Sequence, residues 1–137
     1  KLSVVAGAAC LAELTEDAFA TLNGYARRIT TELNAWSRER NSPFRIHGRG
    51  FSHLGYAYMT APGEAVRTHR DYWRVVDGER TQTISLELAN RGYFPVHRGE
   101  MSLSLAMTDE DISGLIDTLK SIVSNMEPDR VSDDAGD

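Results

Sequence analysis

The side chains with chemistry to offer are four histidines (His47, His53, His69 and His97), two serines (Ser102 and Ser104) and a scatter of arginines. The spacing of His47 and His53 matches neither a Cys-x2-Cys nor a His-Glu-x2-His pattern, so zinc ligation has no motif here and no metal site is expected. Ser102 and Ser104 alternate with Leu103 and Leu105 as strand residues do. A serine nucleophile needs an adjacent base and, in hydrolases, a sharp Gly-x-Ser-x-Gly turn, and the sequence has neither. Gly48-Arg49-Gly50 falls short of a dinucleotide-binding loop, and there is no Walker motif. Arg45, Arg49, Arg70, Arg74 and Arg98 could meet anions, but most arginines only solvate a face. Residue type and spacing alone therefore describe a soluble α+β domain with no catalytic, cofactor-binding or metal-ligating constellation.

The elements that would position these side chains follow from periodicity. Residues 2–14 are apolar nearly all round, and such a helix is normally buried on every side. A chain of 137 residues has little mass to surround it, which points to missing cover on the N-terminal side. The same stretch has a positive first residue, but it runs into Glu13 and a helix rather than a cleavage-type boundary, so it reads as a helix and not a signal peptide. The chain opens on Lys1 rather than Met, and we read it as trimmed from something longer. Thr15-Glu16-Asp17 supplies an N-cap and first-turn acids to a second helix, whose stripe runs Phe19, Leu22, Ala26, Ile29, Leu33, Trp36 and which stops by Asn41-Ser42-Pro43. Phe44 to Thr60 reads as two short strands around Gly48-Arg49-Gly50, the second from Phe51 to Met59, with a loop at Ala61-Pro62-Gly63. Asp77-Gly78 signals a hairpin, while Glu79 to Ala89 with Asn90-Arg91-Gly92 signals a helix and its C-terminal glycine; local pattern leaves the two even. Strands follow at Tyr93 and at Met101–Met107. Thr108 with Asp111 then caps a helix carrying Ile112, Leu115, Ile116, Leu119, Ile122, Val123 and Met126 on one face, ended by Glu127-Pro128. Helices over a small, mainly antiparallel sheet make a two-layer α+β domain over 15–126.

Composition closes off several functions. Net charge is −5, and most of it sits in the tail 127–137, where Glu127, Asp129, Asp133, Asp134 and Asp137 face only Arg130. That tail is expected to be disordered. The near-neutral remainder gives no basic surface for nucleic acid and no polybasic membrane patch. No apolar run approaches the roughly 20 residues of a membrane span. The single Cys10 forms no internal disulfide; it is expected to be a buried, inert thiol in a reducing, cytoplasmic setting.

The order of motifs resembles the small C-terminal domain of the class III pyridoxal-phosphate aminotransferases, in the branch of glutamate-1-semialdehyde aminomutase. The resemblance rests on the small-residue helix Leu2–Leu11, the Leu14-Thr15-Glu16-Asp17 helix start, Gly48-Arg49-Gly50, Asn90-Arg91-Gly92-Tyr93, and above all Ser104-Leu-Ala-Met-Thr-Asp-Glu-Asp-Ile112. It implies the small domain of a fold-type I enzyme that transfers amino groups through pyridoxal 5'-phosphate. It tips the ambiguous stretch to a helix from about Gly78 to Arg91, makes 1–14 a link to a large domain, and implies a homodimeric parent. It also implies that the Schiff-base lysine and the phosphate-contacting threonine lie on the large domain. Only Lys1 and Lys120 occur here, and neither sits in a pocket that would depress a lysine pKa, so this chain alone is expected to bind no cofactor.

One position speaks to substrate. In ornithine-type relatives an arginine just before the final strand pairs with a substrate carboxylate; Glu100, within one residue, stands in that place, as a glutamate does in the aminomutases. An acid repels a carboxylate, while Arg98 and His97 nearby leave another anion contact open. The plain alternative for Glu100 is an exposed turn acid. For the whole chain the alternative is a stand-alone α+β binding or dimerisation module using helix 2–14 as its interface.

Overall fold

A computed structural model describes residues 2–48, 52–64, 66–95 and 99–127. Its elements run α1 (Leu2–Ala12), α2 (Glu16–Glu39), β1 (Phe44–Gly48), β2 (His53–Tyr58), α3 (His69–Val75), α4 (Gly78–Asn90), β3 (Glu100–Ser102) and α5 (Asp109–Met126). The three strands form one antiparallel sheet in the order β1-β2-β3, the two-layer α+β arrangement the periodicities predict.

Strand alternation sorts the side chains. Phe44, Ile46, Leu54, Tyr56, Tyr58 and Met101 point to one face and are buried against Leu22, Ala26, Ile29 and Leu33 of α2, Ile84 and Leu88 of α4, and the apolar face of α5 from Ile112 to Val123. The stripes read from the sequence are the ones that pack on the core, except that Trp36 and Met126 are half-buried and Phe19 stays at the exposed rim. Each main helix begins on a side-chain cap: Thr15 accepts from Ala18 N–H, Asp77 from Arg80 N–H, and Thr108 forms a reciprocal capping box with Asp111. Asp77 therefore caps a helix rather than turning a hairpin. Gly92, at φ +89°, ends α4 as the left-handed residue: its N–H bonds to Ala89 C=O and that of Tyr93 bonds to Leu88 C=O.

β1 is an edge strand, and its outward backbone groups need partners. The Asn34 side chain supplies both, donating to Ile46 C=O (2.6 Å) and accepting from Ile46 N–H (3.1 Å). At the far end of the core, Glu127 Oε1 accepts from Ser42 Oγ and from Tyr58 Oη, each at 2.8 Å, while Arg80 donates to the same Tyr58 oxygen at 3.1 Å. One carboxylate thus ties the end of α5 to the loop before β1 and to β2.

Several expectations are corrected. Glu127 is not the first solvated acid of a tail but a buried residue, 5% exposed, whose Oε1 accepts from two hydroxyls; residues 128–137 lie outside the described residues. Cys10 is exposed, as is every α1 side chain from Ser3 onward, since no other element covers that helix. Residues 93–95 form no strand, and the last strand spans only Glu100–Ser102, not Met101–Met107. Ser104 ends it by accepting from Ala106 N–H through its side chain and from Met107 N–H through its carbonyl, which turns the chain into α5. α3 is an additional helix that the sequence reading did not contain. The second strand begins at His53, and Arg49, Gly50 and Phe51 lie outside the described residues.

Removing the Glu127 carboxylate leaves two buried hydroxyls without an acceptor, so Glu127→Ala is expected to cost about 3 kcal/mol and Glu127→Gln clearly less, both read from urea midpoints. Burial, then the hydrogen bond and charge of Glu127, push the Tyr58 phenol up from 10.0 to about 12. The folded state therefore holds this proton where the unfolded chain releases it. The stabilisation is complete below pH 10 and is lost as pH rises toward 12. Denaturant midpoints should fall across that window, and Tyr58→Phe should flatten the fall.

Candidate functional site

The outward positions of the same strands build a groove. In β1 these are Arg45 and His47, in β2 His53, Gly55 and Ala57, and in β3 Glu100 and Ser102. Register sets His47 opposite Gly55, Gly55 opposite Glu100, and His53 opposite Ser102. The central row therefore reads imidazole, no side chain, carboxylate. The His47 ring lies across the bare position: a Cβ on Gly55 would stand 2.7 Å from His47 Nε2.

The opposite wall comes from α3 and the start of α4. A Thr68–Asp71 capping box fixes the first turn of α3, and the Thr68 hydroxyl, with the Thr68 and Arg67 backbone N–H groups, holds the Asp71 carboxyl below its ordinary range. Hydrogen bonds from Thr60 N–H to Val75 C=O and from Asp77 N–H to Tyr58 C=O dock the C-terminal end of α3 at the end of β2. Ala57, Met59 and Val75 form a small second core beneath it. On α3, Trp73 Nε1–H donates to His69 Nε2 at 3.2 Å, and the Tyr72 and Trp73 rings meet edge to face at 5.6 Å. The groove between this aromatic wall and the sheet encloses about 1000 Å³.

Of the residues singled out from sequence, the groove brings together His47, His53, His69 and Glu100. His97 and Arg98 lie outside the described residues. Ser102 meets His53 Nδ1 at 3.4 Å, a long and exposed contact without the geometry of an activated nucleophile. Ser104 belongs to the turn before α5. Arg45 is committed to structure: one of its terminal nitrogens bonds to Ser37 Oγ and to the carbonyls of Ser42 and Phe44, and burial, with Arg38 nearby, lowers its pKa. Arg70 and Arg74 are exposed on α3. Among the described residues no group of His, Cys, Asp or Glu is placed to hold a metal ion. Sequence reading missed the aromatic wall; the Thr68-x-x-Asp71 box was its only local signal.

The fold has close counterparts among solved structures. The β-phenylalanine aminotransferase from Variovorax paradoxus superposes with a TM-score of 0.69 at 25% identity, over 79% of this chain and 24% of that one. The glutamate-1-semialdehyde aminomutase from Pseudomonas aeruginosa gives 0.70 at 21% identity, over 82% and 24%. An omega-transaminase from Sphaerobacter thermophilus gives 0.64 at 15% identity, over 84% and 26%. The chain spans about a quarter of the length of each. These structures bear out the resemblance to aminotransferases and glutamate-1-semialdehyde aminomutase read from the motifs. No protein-family model matches the chain, and no curated protein matches its sequence.

The row across the sheet is open to test. Gly55→Ala should drive the His47 ring off the sheet face while costing at most about 1 kcal/mol, since the obstructing atom ends a side chain that can rotate. The His47 imidazole resonances and the urea midpoint of the variant would check both parts.

Proposed function

We propose that this chain is the C-terminal small domain of a pyridoxal-phosphate-dependent enzyme of class III, an aminotransferase or a glutamate-1-semialdehyde aminomutase-like protein. In this reading it forms the substrate side of a site whose reactive groups belong to a large domain. The observation that carries the reading is surface left without cover. Val4, Val5 and Leu11 of α1 are 74%, 68% and 70% exposed, and the groove on the outer sheet face is open, in a fold that matches a quarter of much longer enzymes. Residues 1–14 then link to the large domain, and 15–126 form the small domain. Residues 127–137 are the acidic end, with Glu127 itself anchored in the core. The parent is a homodimer of the cytoplasm.

The described residues do not themselves make a cofactor site. Their one lysine, Lys120, sits on α5 in the helical layer, across the sheet from the groove and away from any group that could meet a pyridinium nitrogen there. Pyridoxal 5'-phosphate would be held by the large domain and would supply the electron sink for amino transfer. The work of this chain is recognition. Glu100, exposed at the groove, disfavours a carboxylate on the adjacent part of the substrate, and His47 across Gly55 offers a hydrogen bond. His97 and Arg98 are proposed as substrate-side groups beside it. The second reading, a stand-alone module that dimerises through α1, is favoured by the same exposed valines and leucine. Light scattering that finds a defined dimer of this chain would support it.

Expressing the chain with its upstream coding sequence should yield an enzyme with a bound chromophore and amino-transfer activity. This chain alone, mixed with pyridoxal 5'-phosphate, should give no saturable protein-bound absorption band, and such a band would overturn the proposal. In the whole enzyme Glu100→Gln should admit carboxylate-bearing substrates; an unchanged preference would return Glu100 to an exposed turn acid.

A further inference from the structure

One wall of the groove is fastened differently from the rest. β2, α4 and the end of α5 are tied together by side-chain bonds of Tyr56 to Ser85, Thr81 to the Tyr58 N–H, and Tyr58 to Glu127. The stretch Val66–Arg74, which carries most of α3, has no such tie. Among the described residues its hydrogen bonds and ion pairs stay within it or end on the C-cap of its own helix: the Arg67 and Thr68 N–H groups on Asp71, Trp73 on His69, Arg74 on Asp71, and Val76 N–H on Tyr72 C=O. Two things hold it to the sheet. One is a neck in which Thr60 N–H bonds to Val75 C=O, Met59 pairs with Val76, and Asp77 N–H bonds to Tyr58 C=O, both bonds 2.8 Å long. The other is the small apolar contact of Val66 and Val75 with Ala57 and Met59. A stretch with closed ends and its own internal bonds can move as one body, and parting so small a contact is a local event. Gly63, at φ +84° with open space around it, sits just beyond the neck, where such a stretch needs a hinge.

We infer that α3 with its cap is a flap on the outer sheet face: it swings about the neck, lifts Val66 and Val75 off Ala57 and Met59, and so sets the width of the groove. Tyr72 and Trp73 line that wall and travel with it. The closed position presents their rings to whatever occupies the groove, and the open position withdraws them. The motion belongs to this chain alone and is independent of a large domain.

Two methionines report the motion without any substitution. Met59 is 3% exposed beneath the flap and Met101 is 6% exposed in the main core, so the closed molecule shields both. The full chain is treated with hydrogen peroxide at several urea concentrations below the unfolding transition, and the sulfoxide at each position is followed by mass spectrometry. Met59 should oxidise at least about tenfold faster than Met101. Its rate should change little with urea, because lifting the flap exposes little surface, whereas Met101 waits on global unfolding. Gly63→Ala adds only a methyl group in open space but strains the closed hinge, and it should speed Met59 about fivefold. Oxidation of Met59 as slow as that of Met101, a Met59 rate that climbs as steeply with urea, or one that Gly63→Ala leaves unchanged would each overturn the inference.

Discussion

A three-stranded sheet fully covered on one face only is the constraint from which the other features follow. With so few strands, burial depends on strict alternation, and the buried inward positions Phe44, Ile46, Leu54, Tyr56 and Tyr58 are all aromatic or branched, with Gly48 at the end of β1 the exception. Three helices are enough to close that face. The outer face is covered only in part, where α3 packs on Ala57, and the rest of it lines the groove and carries histidine, glycine and glutamate. The same shortage of mass leaves α1 uncovered. A nearly all-apolar helix has no favourable orientation in water, and its exposed side chains are the surface on which the proposed large domain would pack.

Polar bonds within the core then decide how firmly the groove is held. Thr81, on the buried face of α4, accepts from Tyr58 N–H at 3.0 Å and donates to Asp77 C=O at 2.8 Å, while Asp77 N–H returns to Tyr58 C=O. Tyr58 is in turn fixed from its hydroxyl end by Glu127 and Arg80. The end of α5, the middle of the sheet and the start of α4 form one connected network, so strain at any of its members is felt at the groove wall. α3 is attached more lightly, by its cap, two backbone bonds and a core of three buried residues. Of the groove's parts, it is the one that local opening would release first.

Legibility followed the range of the interactions. α2 and α5 could be read because their signals are local: a cap three residues from its donor and apolar residues at helical spacing. For α4, local signals conflicted, since Asp77-Gly78 is good turn chemistry as well as a good cap, and the family resemblance decided it. Glu127 was misread because its partners are 85 and 69 residues away; nothing beside it in sequence distinguishes a satisfied carboxylate from a solvated one. Cys10 was misread because the apolar pattern that implies burial cannot say whether the covering protein is present. In the site, alternation alone sets His47 opposite in direction to Ile46. That Gly55 and Glu100 continue its row depends on a register that no single strand contains.

The separation of the two faces has a consequence for how such a domain changes. Trp73, His47 and Glu100 are exposed, and none belongs to the buried core. Substituting exposed residues usually changes stability by no more than about 0.5 kcal/mol, whereas truncating a buried Leu or Ile costs about 2–5 kcal/mol. The inner face is therefore held by packing, while the outer face can exchange charge and aromatic surface at little cost. Gly99 is a groove position where this freedom fails: its φ is +81° and a side chain there would collide with the carbonyl of Tyr56, so the strand carrying Glu100 enters the sheet at a fixed height. The carboxylate beside it is held by backbone geometry, and its chemical identity is free to vary.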